Sequence, residues 1–572
     1  MVNKKHEKQT PSLEEEVVVN EGVEVVKPLP THKWIFTSLW DGIKRLGLSI
    51  WGILVMLVKS FLNIFVYAYK AVIWLAKKIY GIGRDFVMYF IKGSWKTKIS
   101  YLFMGVGHFF RKRPLKAILY LVIQAAFIVY MVLPQGGGYW LSKFDNLGDI
   151  AYEIVEVPNF DPITGEITGV IEQTVFRDNS MLIMLYSVLT LVIIAAFAFT
   201  YFKQIKGQYL ADQLEKQAQE SLENRLAEFN KHGTVNGIKV SEAPVYEDLL
   251  PTPKQEFDQL LYEKFHLTTL AIPSITVMAF TILPLIFMIL LAFTNYDSIN
   301  GPPSALFTWT GLATFKRLFT DKVGGFSVAL GSIFKWTITW AFFATFTNYI
   351  GGMILALMIN KKGIHLKKLW RTVFVITIAV PQFVTLLLMS KMLSDYGPLN
   401  ETLQAWGWID KPIRFLSNKD TARVTVILVN MWIGIPYTML ITSGILMNIP
   451  DDLYESARID GAGPVIQFFK ITLPYMLFVT GPYLITQFIG NINNFNVIFF
   501  LTGGGPNNPR FAGLYGETDI LVTWLYKLTV GGAKQEYAIG SALGIVIFLV
   551  SAFISLMLYS RTSAATSEGD FA

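Results

Sequence analysis

Eight stretches of this chain are apolar for long enough to cross a lipid bilayer, and their succession constrains the fold more than any other feature. They lie near 115–133, 181–202, 268–293, 329–360, 369–393, 422–448, 476–500 and 540–560. Each is close to or longer than the ~20 residues a helix needs to span the hydrocarbon. Without water in the bilayer, backbone groups must bond within each segment, so helices are the expected form. Composition agrees: 52% of the 572 residues are hydrophobic and 16% are charged, the balance of a polytopic membrane protein. The expected fold is an all-α integral membrane protein of about eight transmembrane helices.

Charge orients the spans. Arg111 to Lys116, Lys203 and Lys206, Lys361 to Arg371, and Arg561 fall on one side of this alternation, while Asp145, Asp149, Glu153 and Glu156 of the 134–180 loop fall on the other. Basic residues concentrate on the cytoplasmic side, which predicts a multi-pass protein of the bacterial cytoplasmic (plasma or inner) membrane with both termini inside. Residues 1–33 are polar, with the acidic run Glu14 to Glu16 and with Pro28 and Pro30. They read as a disordered cytoplasmic tail, not a cleavable signal peptide. Across 34–110, Lys44, Lys59, Lys70, Lys77 and Lys92 share about a third of a helical wheel with Asn63 and Arg84, opposite Phe61 and Phe65. That stripe predicts amphipathic interfacial helices. An extra span containing Lys59 is the competing arrangement, at a few kcal/mol for the buried charge. The expected divisions are thus 1–33, 34–110, 111–202 with external loop 134–180, a cytoplasmic insertion 203–267, and a transmembrane domain 268–572. Thr164-Gly165 suggests a hairpin in the loop, and 211–229 a polar helix in the insertion.

Energy for transport has no source within the chain. Spans three to eight carry no Asp or Glu in their apolar stretches, the groups on which ion-coupled carriers commonly rely. There is no phosphate-cradling Gly-rich loop, HExxH or nucleophile elbow, and no cysteine. The chain reads as non-catalytic, without a cofactor or metal of its own. Polar residues inside the spans concentrate at Asn430 to Tyr437 and at Gln487 to Asn494. Gly434 and Pro436 permit a local break. Asn491 and Asn494 are three residues apart, with Gln487 one turn earlier, so a continuous helix would present them on one face. Carboxamides beside aromatic rings suit neutral, hydroxyl-rich ligands. They also serve as glue between membrane helices, and the residues alone leave both roles open.

The polar interruption Glu455 to Pro474, ESARIDGAGPVIQFFKITLP, adds a port for external force. Asp451, Asp452 and Glu455 suit the positive end of a short helix, Gly461, Gly463 and Pro464 allow a sharp turn, and Phe468, Phe469 and Ile471 can fill an apolar groove. The order Glu455-Ser456-Ala457, Asp460-Gly461-Ala462, Phe468, Ile471, Leu473-Pro474 resembles the cytoplasmic signature loop of ABC importer permeases, with Ser456 where that pattern has Ala. From Ala271 to Arg561 the chain is similar to the larger permease subunit of maltose and maltodextrin ABC importers. The resemblance rests on Phe293 to Asp297, Gly311 to Phe319, Ala379 to Pro381, Trp432 to Tyr437, Ile449 to Tyr454, the signature loop, Asn493 to Phe495 and Leu501 to Pro506.

This resemblance implies a translocation pore shared with a second, smaller permease subunit. It implies two copies of an ABC ATPase, which hold ATP and Mg and contact Glu455, Ser456, Ala457, Asp460, Gly461, Ala462, Phe468, Leu473 and Pro474. It also implies an extracytoplasmic sugar-binding protein, and a sugar site at Gly434, Tyr437, Asn491 and Asn494 with Ile433 nearby. Gln487 stands where relatives have a small hydroxyl residue and Ile378 where they have an aromatic one; both departures bear on which sugar is taken. The expected cargo is a maltodextrin-type oligosaccharide. Another sugar, a polyol or a uronate oligosaccharide is the alternative within the class, and an ion-coupled carrier or channel the alternative outside it.

Overall fold

The computed structural model describes residues 66–148 except 68, 152–160, 167–176, 178–232, 258, 262, and 265–559 except 303, 304, 362, 512, 532 and 533. The tail 1–33 and the lysine-rich stretch up to 65 lie outside the described residues. Residues 1–71 form one unit, in which the described 66–67 and 69–71 are helical; residues 72–572 form the other.

The second unit opens with helix α1 (72–92), then α2 (Trp95–Leu102), a 3-10 turn (Val106–Arg111), α3 (Pro114–Val132) and α4 (Gly137–Ser142). Strands β1 (Tyr152–Phe160) and β2 (Ile167–Phe176) pair antiparallel, Tyr152 opposite Phe176 and Val157 opposite Ile171, as the hairpin expected in this loop. Helix α5 then runs unbroken from Ser180 to His232. The sequence reading divided it at 202 into a span and a separate polar helix. No proline falls near that boundary, and although Gly207 is a weak helix former, Lys203, Gln204, Lys206, Gln208 and Leu210 are good ones, so the apolar half continues as a polar one.

Three features fix α5 against the elements before it. Arg111, with 1% of its side chain exposed, forms a buried pair with Asp212 (2%) and bonds the Gln208 side chain and, at 3.1 Å, Glu215. Asp212 also accepts bonds from the Ser94 backbone (2.7 Å) and Thr97 hydroxyl (2.7 Å). Phe86 and Tyr89 of α1 stack near Phe202 and Tyr209.

The remaining helices are α6 (Phe265–Val277), a π turn (Met278–Ile282), α7 (Leu283–Leu291), α8 (Ala313–Thr320), α9 (Phe326–Asn360), α10 (Lys367–Ala379), α11 (Gln382–Met392), α12 (Pro398–Ala405), α13 (Lys419–Leu446), α14 (Asp451–Ile459), α15 (Pro464–Gln467), a second π turn (Phe468–Thr472), α16 (Leu473–Ile492), α17 (Phe495–Thr502), α18 (Leu521–Tyr526) and α19 (Tyr537–Tyr559). Among the described residues, seven helical segments are long and apolar enough to cross a membrane, and the bent pair α10–α11 makes an eighth. Among the described residues, the regular structure apart from the β1–β2 hairpin is helical.

Two spans depart from straight helices. Between α10 and α11 the chain bends by 88° at Val380-Pro381. Pro381 has no N–H to donate and forces the residue before it out of the helical region; Val380 is extended at ψ 128°. The run 476–500 breaks after Ile492 and restarts at Phe495, with the Asn494 side chain capping α17 by accepting the Val497 N–H at 3.4 Å. Conversely, α13 continues through Gly434 and Pro436 without the break the sequence suggested. Pro436 is buried in the helix interior, where neighbouring helices hold the backbone in place.

Helices α9 and α13 form the centre. A Cβ added at Gly352 would sit 2.7 Å from the Thr438 Cβ, and the Thr442 hydroxyl donates to the Gly352 carbonyl at 3.3 Å. Small residues thus let two backbones approach closely, which is what holds helices together where lipid removes the hydrophobic drive. Trp340, fully buried, donates its indole N–H to the Asn491 carbonyl at 3.0 Å, so the end of α16 is pinned to α9.

Candidate functional site

A cavity of about 580 Å³ opens at the α10–α11 bend and is closed by α9, α13, α16 and the α16–α17 break. All seven residues singled out in the sequence line it: Ile378, Ile433, Gly434, Tyr437, Gln487, Asn491 and Asn494. They come together because the bend carries Ile378 inward, one face of α13 supplies Ile433, Gly434 and Tyr437, and the break places Asn494 beside Asn491. Asn491 and Asn494 do not share a helix face as their spacing implied, since the helix ends between them. They meet through a hydrogen bond, Asn494 Nδ2 donating to Asn491 Oδ1 at 3.3 Å.

Asn491 also donates to the Thr345 hydroxyl at 2.9 Å, so it ties α16 to α9. The interhelical role is therefore present in the geometry. Each carboxamide still has capacity, because the Asn491 nitrogen carries a second hydrogen and its oxygen a second lone pair. Tyr437 is 48% exposed and Trp432 52% exposed, so part of each aromatic side chain is open. Among the described residues lining the cavity, none is charged.

Several lining residues escaped the sequence reading: Asn348 on α9, Thr377 on α10, and Gln382 and Thr385 on α11. Asn430, noted but not assigned to the site, lines it as well, with its Nδ2 buried and unpartnered. Asn348 Oδ1 is likewise buried without a partner. A Cβ on Gly434 would intrude on the Asn348 carboxamide, 2.7 Å from its Cγ. The absence of a side chain at 434 leaves that amide its place. The available signal was a carboxamide inside an apolar run, the feature that drew notice to Asn430.

At the α13–α16 turn, the chain builds a second feature. Asp451 and Asp452 occupy the first turn of α14 and Arg458 its last, each favoured by the helix dipole. Gly461 turns the chain at φ +76°, and Pro464 starts α15. The Tyr454 and Thr472 hydroxyls share a bond at 2.9 Å, locking α14 to the foot of α16. Glu455, Ser456, Asp460, Gly461 and Pro474 are exposed, and Ala457 and Ala462 are half-buried. Phe468 and Leu473 turn inward onto Tyr349, Met353 and Met476. Phe469 (59% exposed), Ile466 and Val465 form the outward apolar surface of the loop.

Known proteins of this kind are permeases. The profile of the family "Binding-protein-dependent transport system inner membrane component" matches residues 348–564, which include the cavity and the Glu455–Pro474 loop. The chain is 34% identical over 304 residues to the maltodextrin transport system permease protein MdxF of Bacillus subtilis (strain 168), covering 52% of this chain and 69% of that one. It is 29% identical over 466 residues to the galactooligosaccharides transport system permease protein GanP of the same organism, covering 81% and 96%. It is also 29% identical over 486 residues to the maltodextrin transport system permease protein MalC of Streptococcus pneumoniae, covering 83% and 97%. The chain belongs to the binding-protein-dependent transport system inner membrane components, the non-catalytic permease subunits of ABC importers.

Proposed function

We propose that this permease translocates neutral oligosaccharides of the maltose and maltodextrin type, and that the cavity between the α10–α11 bend and Asn491 is where the sugar rests in transit. The observation that carries this reading is the lining itself: carboxamides and exposed aromatic faces converging on one space without a charge. A pyranose offers hydroxyls to Gln487, Asn491 and Asn494 while its apolar face stacks on Tyr437. The maltodextrin systems in which MdxF and MalC are named support the sugar class. GanP, named for galactooligosaccharides, supports a second neutral sugar on the same grounds.

In this reading an extracytoplasmic binding protein delivers the sugar. Two ATPase subunits, holding ATP and Mg, close on the exposed surface of α14, Phe469 and Ile466, and on the equivalent loop of a second permease. Their closure moves α14, and the Tyr454–Thr472 bond and the inward Phe468 carry that motion into α16. Both termini lie in the cytoplasm, consistent with the basic loops flanking the spans.

The test is uptake of labelled sugars into proteoliposomes holding the full complex and its binding protein. Maltotriose should enter in an ATP-dependent manner, and Tyr437→Ala should reduce its uptake about tenfold or more with assembly intact. Entry of a charged uronate oligomer in preference to maltotriose would overturn the assignment.

A further inference from the structure

Beside the main cavity lies a smaller recess of about 40 Å³, bordered by Thr345, Asn348, Gly434, Tyr437, Tyr483 and Gln487. It shares Asn348, Gly434, Tyr437 and Gln487 with the main cavity, so the two adjoin. Its wall mixes Ala344 and Leu484 with polar side chains, among them Asn348, whose Oδ1 is buried without a hydrogen-bond partner. A buried carbonyl left unpaired is unfavourable unless another group satisfies it. The carboxamide lies against the backbone of Gly434, where any side chain would displace it. An amide turned about its last bond offers either its oxygen or its nitrogen to the recess.

We propose that the recess is a specificity subsite in which Asn348 hydrogen-bonds the exocyclic hydroxymethyl group of one hexose ring of the transported oligosaccharide. This rests on the oligosaccharide reading of the main cavity. The volume has room for a group of one carbon and one oxygen, as opposed to a second ring. A pentopyranose ring lacks that group and leaves the Asn348 carbonyl unpaired. A uronic acid brings a carboxylate to a recess whose described lining has no cation to receive it, an arrangement that burial penalises strongly. The subsite therefore selects neutral hexosides against both.

The experiment pairs a protein change with a sugar change in the reconstituted complex, with its ATPase, partner permease and binding protein all present. Transport KM and kcat are measured for maltose and for maltose analogues lacking the 6-hydroxyl on one ring or the other, using wild type and Asn348→Leu. Preferences of the binding protein are the same for both variants and cancel in the ratio. One of the two deoxy analogues should be about fivefold poorer than maltose in kcat/KM with wild type, beyond any preference retained by the variant, in keeping with one hydrogen bond. With Asn348→Leu that extra preference should vanish. Asn348→Ser, smaller and still polar, supplies the same comparison where the leucine variant does not assemble, and should reduce the preference by at least half. An unchanged preference in the variants overturns the subsite while leaving the oligosaccharide reading intact. A wild-type complex that transports no maltose or maltodextrin overturns that reading itself, and the subsite with it.

Discussion

Asn491 holds together three pieces of the site, bonding Thr345 and Asn494 through its side chain while its carbonyl accepts the Trp340 indole. Asn491→Ala removes two of those bonds and leaves the Thr345 hydroxyl without this donor, so a loss of about 1–3 kcal/mol is expected. It should appear as a lower Tm of the purified complex together with reduced uptake. Gly434→Ala acts differently, because its added carbon displaces Asn348 rather than breaking a hydrogen bond. Its Tm should fall less than that of Asn491→Ala, while KM for the sugar rises about tenfold. The sequence showed Gln487, Asn491, Asn494 and Tyr437 because they are polar or aromatic residues close together in apolar runs. It did not show Asn348, whose partner Gly434 is distant in sequence and is brought to it only by the packing of α9 on α13.

Elements show where local chemistry could be read and where it could not. The turn after α14 was legible, since Gly461, Gly463 and Pro464 dictate it by backbone preference alone. How far each aromatic side chain is buried was not: the Phe468 and Phe469 rings meet edge to face at 5.1 Å, yet Phe468 packs inward and Phe469 is largely exposed. The buried knot between α5 and the segment 94–111 was also hidden, because Arg111 read as one more basic residue at a membrane edge. Replacing Asp212 by Ala removes one of the two carboxylates paired with the buried Arg111 guanidinium and the acceptor of the Ser94 and Thr97 donors, so a loss of about 1–3 kcal/mol is expected, measurable as a drop in Tm. In the loop after α7, Asp297 closes an Asx turn. Burial pushes its carboxyl up, but the N–H groups of Asn300 and Ile299, with Lys534 nearby, outweigh this and hold it below its ordinary 3.8. A depressed carboxyl stabilises the fold above its unfolded value and loses that contribution as pH falls through the folded one. Thermal stability should therefore decline below about pH 4, and Asp297→Asn should flatten that part of the profile.

The succession of spans among the described residues follows from apolar length, which is why their number and order could be read from the sequence. The departures from straight helices decide function, however, and they depend on tertiary support. Two prolines in similar sequence settings behave oppositely: Pro381 bends its span by 88°, whereas Pro436 remains inside α13. The difference lies in their surroundings, since Pro436 is buried beside α9 and Val380 and the α10–α11 bend border an open cavity. In the proposed cycle, force enters at the Glu455–Pro474 loop and reaches the cavity through α16. Gly461 tests this directly, because its φ of +76° disfavours any side chain, while a Cβ there meets nothing within 4 Å of the chain itself. The measurement is ATP hydrolysis by the reconstituted complex with its binding protein, with and without maltotriose, for wild type and Gly461→Glu. The account predicts several-fold stimulation by the sugar in wild type, and its loss in a variant that still folds and inserts. Equal stimulation in both would contradict it.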